Sequence, residues 1–394
     1  MSLNNTPSSE RIHIGIFGKR NAGKSSVINA ITGQNLAIVS DVKGTTTDPV
    51  MKSMELLPLG PVVMIDTPGL DDEGELGELR VKRAYQMLNK TDVALLVVDA
   101  CVGMTKEDEE ILNRIKLKGI PYLLVMNKAD LAGNSICVED ALYVSAKTGK
   151  GILELKEKIA QSVSKGDFRR IVGDLLEPFD FVVLVTPIDE SAPKGRLILP
   201  QQQTIRDVLG ARATAVVVKD TELEETLKRM SGKPRMVITD SQVFGKISKL
   251  VPVDVPLTSF SILMARYKGD LKTVVEGARV LDALQDGDTV LISEGCTHHR
   301  QCNDIGTVKL PGWILEHTGK NIQFEFTSGT EFPEDLSKYK LVVHCGGCML
   351  NEREMKYRLK CAEDQTVPMT NYGIAIAHMK GILDRSVEMF FELK

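Results

Sequence analysis

The sequence predicts an α/β protein of three domains, in which an N-terminal domain with a doubly wound, mostly parallel sheet precedes two smaller α/β units. Two observations lead to this fold class. Short apolar runs alternate with helical patterns along most of the chain, which is typical of helices packed on a parallel sheet. A glycine-rich segment at 18–25 lies between the first apolar run and the first helical pattern, as phosphate-binding loops do.

The first domain is predicted to span residues 1–166. Its apolar runs are short and flanked by turn residues, as expected for strands that are buried on both faces. Helical patterns lie between these runs, and the first of them ends at Gly33. The predicted strands of this domain are at 12–16, 62–65, 93–98, 122–126 and 142–144.

Two further α/β units are predicted at 167–256 and 257–394. A polar segment at 164–170, followed by Pro178, indicates the linker that separates them from the first domain. The second unit carries no recognisable catalytic motif, whereas the third carries a group of closely spaced cysteines and histidines. The predicted strands of these units are at 181–185, 215–218, 236–238, 289–292, 322–326 and 341–343.

Composition narrows the classes of partner. The chain has 394 residues, of which 43% are hydrophobic and 26% charged, as in ordinary globular proteins. Its net charge of −4 argues against nucleic acid as a ligand, because phosphate backbones attract clustered Lys and Arg. No apolar run reaches the roughly 20 residues that cross a bilayer, and the N-terminus lacks a signal-peptide core. We therefore expect a cytoplasmic protein without a membrane or nucleic-acid partner, with cysteines as thiols or metal ligands.

The glycine-rich segment fits the Walker A pattern, with Gly18, Gly23, Lys24 and Ser25 at its defining positions. Backbone amides of such a loop wrap phosphates, the lysine neutralises the β and γ oxygens, and the serine hydroxyl binds Mg²⁺. The loop residues predicted to bind nucleotide are Gly18, Asn21, Ala22, Gly23, Lys24, Ser25 and Ser26.

The motif Asp66-Thr-Pro-Gly69 follows the second predicted strand. This position places the Asp66 carboxylate near the water shell of Mg²⁺ and the Gly69 N–H near the γ-phosphate. Leu70 stands where Ras-type enzymes have the glutamine that orients the attacking water, so we expect slow intrinsic hydrolysis.

Two more motifs predict that the base is guanine. Asp130, in the motif Asn127-Lys128-Ala-Asp130, can accept hydrogen bonds from N1 and the 2-amino group of guanine, which adenine cannot supply. The segment Ser145-Ala146-Lys147 completes the base pocket. Four motifs in this order predict a GTPase rather than an ATPase.

These motifs resemble those of the Era and MnmE branch of GTPases. In that branch a Gly-Thr-Thr-Arg-Asp motif caps Mg²⁺, and the matching segment here, 44–48, makes Thr46 the expected Mg²⁺ ligand beside Ser25, with Thr45 as the alternative. Asn21 matches the asparagine with which MnmE-like enzymes hold K⁺ against the phosphates, which implies K⁺ activation. The residues expected to act in hydrolysis are Lys24, Thr46, Asp66 and Gly69.

Cysteines and histidines follow two predicted strands of the third unit. Cys296 and His298 come after the strand at 289–292, and His344, Cys345 and Cys348 after the strand at 341–343. If these strands are parallel neighbours, both groups emerge at one sheet edge. Three readings stay open: a Cys₃His zinc site with either histidine, an iron–sulfur cluster on three cysteines, or a redox thiol pair.

A GTPase domain of this branch, followed by Cys296-Thr-His298 and His344-Cys345-Gly-Gly-Cys348, resembles the HydF family of iron–iron hydrogenase maturation GTPases. The resemblance spans the whole chain. It implies a 4Fe-4S cluster on Cys296, Cys345 and Cys348 with an exchangeable fourth position, for which His298 and His344 are candidates. It also implies a dimerising middle domain, and therefore a homodimer or higher oligomer.

The resemblance further implies a scaffold and carrier. Radical-SAM maturases build a di-iron precursor with CO and CN⁻ ligands, and the family delivers it to apo iron–iron hydrogenase. GTP binding and hydrolysis would tune these associations. The main alternative is a ribosome- or tRNA-associated GTPase with a structural zinc module, which would be expected to show a basic or aromatic RNA-binding face. A zinc or nickel chaperone would be expected to carry a His-rich tract, and the sequence has neither feature.

Overall fold

The computed structural model describes residues 6–33, 49–69, 81, 83–132, 138, 140–163, 169–187, 197–295, 304–329 and 331–391. The chain divides into two compact units, Met1–Asp167 and Phe168–Lys394. In the described parts of both, every helix is too short or too polar to pass through a lipid bilayer.

The first unit is built on a six-stranded sheet in the order β2-β3-β1-β4-β5-β6. All neighbouring strands are parallel except β2, which is antiparallel to β3. The strands are β1 Ile12–Phe17, β2 Val50–Leu56, β3 Gly60–Asp66, β4 Val93–Asp99, β5 Tyr122–Asn127 and β6 Ala141–Tyr143. The α-helices with described limits are Lys24–Thr32, Lys106–Leu117 and Ile152–Ser162.

The sheet of the first unit is covered on both faces. Helices Lys24–Thr32 and Ile152–Ser162 pack on one face against β1 and β4, through residues such as Ile14 and Leu95. Helix Lys106–Leu117 packs on the other face, where Phe17 is buried. The predicted doubly wound α/β fold is confirmed. The five predicted strands are present, and β2 is additional because this largely exposed edge strand contains Lys52, Ser53 and Glu55 and so forms no continuous apolar run.

The second compact unit, Phe168–Lys394, covers both of the smaller predicted domains. It contains two four-stranded, fully parallel sheets, in the orders β10-β9-β7-β8 and β12-β11-β13-β14. The strands are β7 Phe181–Val185, β8 Thr214–Val218, β9 Met236–Thr239, β10 Leu257–Ser259, β11 Thr289–Glu294, β12 Gln323–Ser328, β13 Leu341–His344 and β14 Met369–Asn371. The helices are Leu199–Gly210, Leu223–Arg229, Phe244–Ile247, Phe260–Lys268, Leu271–Ala278, Leu310–Thr318, Glu352–Asp364, Tyr372–Met379 and Leu383–Phe391.

One apolar core runs through both sheets of the second unit. It includes Val183 and Val237 of the first sheet and Leu291 and Val342 of the second, all of them fully buried. The short strand β10 begins just beyond the predicted boundary at 256 but pairs with β9. The division of this unit into domains at 167–256 and 257–394 therefore stays a prediction.

Candidate functional site

The predicted phosphate loop is a tight turn between β1 and helix Lys24–Thr32. Backbone φ angles are positive at Gly18, Asn21 and Gly23. A Cβ at Gly18 would lie 2.1 Å from the carbonyl oxygen of Val97 on β4, so only glycine allows this approach of loop to sheet. The loop leads directly into a helix N-terminus, whose free amides and dipole favour anions.

Lys24 lies folded across this loop. Its Nζ donates hydrogen bonds to the carbonyl oxygens of Gly18, at 2.9 Å, and Lys19, at 2.8 Å, and the residue is 8% exposed. These bonds fix the ammonium group at the loop before any phosphate enters. The side chain is therefore preorganised for the β- and γ-phosphate role that the sequence predicts.

Ser25 and Asp66, the predicted magnesium-site pair, are in direct contact. The Ser25 hydroxyl donates to Asp66 Oδ2 at 2.9 Å, and Thr67 Oγ1 donates to the carbonyl oxygen of Ile16 at 2.6 Å, which anchors the segment after β3 to β1. Burial raises the pKa of Asp66, and the Ser25 hydrogen bond and Lys24 charge oppose that rise. The predicted Mg²⁺ ligand Thr46 lies outside the described residues.

Asn127 connects the base motif to the phosphate loop. Its Nδ2 donates to the carbonyl oxygen of Ala22 at 3.0 Å, and its Oδ1 accepts from the Ala146 N–H at 3.1 Å. One buried amide thus joins three of the predicted nucleotide motifs. Gly69 lies three residues after the end of β3, and Lys147 lies in the turn that follows Ser145.

Asp130 is held in its charged form. The Ser145 hydroxyl hydrogen-bonds to its carboxylate and lowers its pKa, and Lys147 contributes in the same direction. Lys128 Nζ donates to Asp99 Oδ2 at 2.6 Å beside it. The sequence analysis did not predict a role for Asp99. Its position at the carboxyl end of the central strand β4 is nevertheless a usual place for ligand-site residues in a parallel sheet.

Replacing Asp130 with asparagine should turn nucleotide preference away from guanine. The amide cannot accept from both N1 and the 2-amino group, and hydrogen bonds to a charged group contribute about 1.5–3 kcal/mol each. We expect GTP affinity to fall roughly 100-fold and xanthosine triphosphate, which carries an oxygen at position 2, to bind better than GTP. Calorimetric titration of both nucleotides checks this; unchanged GTP affinity would contradict the assigned pocket.

The two strands that precede the cysteine motifs, β11 and β13, are parallel neighbours, which meets the condition for both motifs to emerge at one sheet edge. β11 pairs with β13 with Ser293 opposite His344, so Gly295 and Cys345 emerge at the same edge of the sheet. The Cys345 sulfur accepts hydrogen bonds from the N–H groups of Gly295, at 3.1 Å, and Gly347, at 3.4 Å. Cys296 and His298 lie outside the described residues.

Cys345 and Cys348 are partly buried. Burial raises the pKa of Cys345 to about 11, against the opposing effect of the Gly295 and Gly347 amides. Burial also raises the pKa of Cys348, and the Lys268 charge opposes that rise. Redox chemistry and metal binding both require the thiolate, and the amides of Gly295 and Gly347 together with the Lys268 charge would stabilise that form.

Lys268 holds the loop that carries both cysteines. It ends helix Phe260–Lys268, is 2% exposed, and its Nζ donates to the carbonyl oxygens of Gly347, at 3.2 Å, Cys348, at 3.0 Å, and Leu350, at 2.7 Å. Sequence reasoning missed this residue because a lysine in the last helical turn is ordinarily a surface charge. Its buried positive charge would offset the negative charge of a thiolate at Cys348.

His344 is fully buried, and both of its ring nitrogens have hydrogen-bond partners. Its Nε2 accepts from Arg358 Nη1 at 2.9 Å, and its Nδ1 lies 2.7 Å from the Cys345 carbonyl oxygen. Burial, followed by the Arg358 charge, lowers the pKa of His344 to about 3, so the ring is neutral. Both ring nitrogens are engaged, which argues against His344 as the predicted candidate iron ligand.

Three family profiles match consecutive parts of the chain. The 50S ribosome-binding GTPase profile matches residues 13–128, the Hydrogen maturase F dimerization domain 171–269, and the Hydrogen maturase F tetramerization domain 272–389. The chain belongs to the hydrogen maturase F (HydF) family. Its first unit is a GTPase domain, and the dimerization and tetramerization domains support homo-oligomerisation.

Individual relatives match the GTPase part alone. The tRNA modification GTPase MnmE of Nitrosomonas eutropha is 38% identical over 160 residues, which are 39% of this chain and 35% of that protein. The MnmE of Legionella pneumophila is 41% identical over 159 residues, again 39% and 35%. The chain thus spans about a third of the length of these relatives. Among solved structures, the G domain of the T. maritima FeoB iron transporter is 24% identical, covering 39% of this chain and 99% of that one, with a TM-score of 0.31.

Proposed function

We propose that this GTPase is a scaffold and carrier that binds a 4Fe-4S cluster and a di-iron precursor bearing CO and CN⁻, and delivers the precursor to apo iron–iron hydrogenase. The observation that carries the proposal is Cys345, whose sulfur accepts two backbone N–H bonds at a sheet edge. Membership in the hydrogen maturase F family supports the maturation role. The partners would be the radical-SAM maturases and the hydrogenase.

The residues at the sheet edge fit a cluster. Cys345 and Cys348 would be ligands, with Cys296 as the third, and amide hydrogen bonds together with the Lys268 charge would offset the negative charge of the thiolates. When bound, the cluster would supply an iron position open to an exchangeable ligand. His298 stays a candidate for that position, whereas His344 has both nitrogens engaged.

A structural zinc module is the second candidate, because three cysteines and a histidine would complete a zinc site. It would accompany a ribosome- or tRNA-associated GTPase, and the MnmE likeness covers only the GTPase part of the chain. Since His344 is hydrogen-bonded to Arg358, this reading would take His298 as the fourth ligand. The cluster reading needs no fourth protein ligand and is therefore favoured.

The metal can be identified by reconstituting the full chain with iron and sulfide without oxygen and recording the EPR spectrum after reduction. We expect the signal of a reduced 4Fe-4S cluster in the parent and in Cys101→Ser, which changes an exposed thiol of the first unit. Cys345→Ser should lose the signal. A stoichiometric zinc content with no EPR signal in any variant would overturn the proposal.

We also propose that K⁺ activates hydrolysis through Asn21, whose φ of 61° turns the loop backbone into the left-handed region. A K⁺ ion against the phosphates would add positive charge in the transition state. Hydrolysis should be about tenfold faster in K⁺ than in Na⁺, a barrier difference of about 1.4 kcal/mol. Asn21→Gly, which tolerates the same backbone angle, should lose that difference; equal parent rates in both salts would refute it.

A further inference from the structure

Three side chains from separate elements meet outside the nucleotide and cysteine sites. His317 Nε2 lies 2.8 Å from Asp282 Oδ1, and His378 Nε2 lies 3.0 Å from Asp282 Oδ2. The two imidazole rings are 5.8 Å apart, edge to face. Asp282 belongs to the 3₁₀ helix Arg279–Ala283, so one carboxylate gathers two histidines that are far apart in sequence.

No sequence pattern groups these residues, and the sequence predicts His317 and His378 to be ordinary structural or surface histidines. Only the fold brings them together. Asp282 precedes β11, and His317 ends a helix that precedes β12. The cluster therefore lies at the amino edge of the sheet, opposite the carboxyl edge where Gly295 and Cys345 emerge, and it is separate from the cysteine site.

The local field at this cluster favours a cation. His317 lies in the last turn of helix Leu310–Thr318, and His378 in the last turn of helix Tyr372–Met379. Helix C-termini carry partial negative charge from their unpaired carbonyl groups. The Asp282 carboxylate adds a full charge, and hydrogen bonds from His317 and then His378 lower its pKa.

We propose that Asp282, His317 and His378 form a binding site for one divalent transition-metal ion, with Zn²⁺ as the best fit. Two imidazole nitrogens and one carboxylate oxygen are ordinary zinc ligands, and a water molecule would complete the tetrahedron. Around an ion with bonds of about 2.0–2.1 Å, neighbouring ligand atoms lie roughly 3.3 Å apart. The two histidine nitrogens contact different oxygens of Asp282, and the three ligand atoms lie within 4.8 Å of one another, so side-chain movements of about an ångström would bring them around one ion.

The partial exposure of the three side chains allows a metal ion to enter the site from solvent. The side chains of His378, His317 and Asp282 are 16%, 25% and 58% exposed, so solvent can deliver the ion and occupy the fourth position. The ion would join the 3₁₀ helix before β11 to the ends of two helices. Because an ion that binds only the folded chain stabilises it, Zn²⁺ should raise the melting temperature.

The test must separate this site from the cysteines, which also bind zinc. We would load the full chain with Zn²⁺ alone, remove loose metal by gel filtration, and measure bound zinc by atomic emission. Four proteins are compared: the parent, His317→Gln with His378→Gln, Cys345→Ser with Cys348→Ser, and the combination of all four changes. Glutamine can still donate an amide hydrogen bond toward Asp282, so the local packing should persist.

The histidine changes should remove one zinc equivalent in both cysteine backgrounds and cancel the zinc-dependent rise in melting temperature. Asp384→Asn, which changes an exposed carboxylate of helix Leu383–Phe391, should change neither readout. Equal zinc content with and without the histidine changes would overturn the site and leave a hydrogen-bonded His–Asp–His cluster only. The comparison does not depend on the identity of the metal at the cysteines.

Discussion

Replacing Lys24 with alanine should abolish GTP hydrolysis and leave the iron and sulfide content of the protein unchanged. The Lys24 ammonium is fixed at the loop by the carbonyl oxygens of Gly18 and Lys19, where the β- and γ-phosphates would bind. Removing a preorganised donor from developing transition-state charge costs on the order of 100- to 1000-fold in rate. The cysteine site lies in the other compact unit and should not respond.

Phosphate release and iron and sulfide analysis of the reconstituted protein measure the two parts of this prediction. Lys158→Ala is a suitable control, because it removes an exposed lysine from helix Ile152–Ser162 of the same unit. Loss of the cluster in Lys24→Ala, with the control intact, would show that the two sites are not independent. Retained hydrolysis would contradict the assignment of the phosphate loop.

The elements of the fold that the sequence predicts well are those whose structure depends on residues close together in sequence. The phosphate loop needs Gly18 for its close approach to β4, and a lysine and serine at fixed offsets from it. Central parallel strands are continuous apolar runs, so β1 and β4 were predicted with nearly correct limits. A three-residue strand offers little of this pattern: β6 is predicted, whereas β10 and β14, of the same length, are not.

The parts that were missed depend on contacts between residues far apart in sequence. Lys268 donates a hydrogen bond to the loop at 347–350, and Arg358 donates one to a ring nitrogen of His344, which the sequence analysis names as a candidate iron ligand. Neither contact has a sequence signature, because each requires two elements to be packed correctly first. The sequence predicts Cys101 to pack as a small apolar residue, and this prediction is wrong, because the thiol lies exposed in the turn after β4.

Arg358 illustrates how the surroundings of the cysteine site are stabilised. The side chain is fully buried, and its guanidinium donates to Glu354 at 3.0 Å and to the Gly329 carbonyl oxygen at 2.6 Å as well as to His344. A buried charge is tolerated only when it is paired and hydrogen-bonded. This network holds the end of β13 directly before Cys345, so contacts in the core help to position the backbone at that cysteine.

Replacing Cys345 with serine should end hydrogenase maturation and spare GTP hydrolysis. Serine is close in size and can still accept the N–H bonds of Gly295 and Gly347, so we expect the sheet edge to keep its fold. A serine hydroxyl is a poor substitute for a thiolate toward iron, because iron–sulfur clusters are held by thiolates. The nucleotide site lies in the other compact unit, so its rate should stay within about twofold of the parent, as for independent sites.

The measurement is hydrogenase activity after apo-hydrogenase is incubated with parent or variant protein isolated from cells that hold the radical-SAM maturases. Cys101→Ser is the matched cysteine control and should mature the enzyme normally. Normal maturation by Cys345→Ser would remove the cluster from the mechanism, whereas loss of both maturation and GTP hydrolysis would point to a folding defect that circular dichroism can detect. Loss of maturation alone would support the proposal that Lys24 serves the nucleotide step and that Cys345 serves the step that holds or transfers the di-iron precursor.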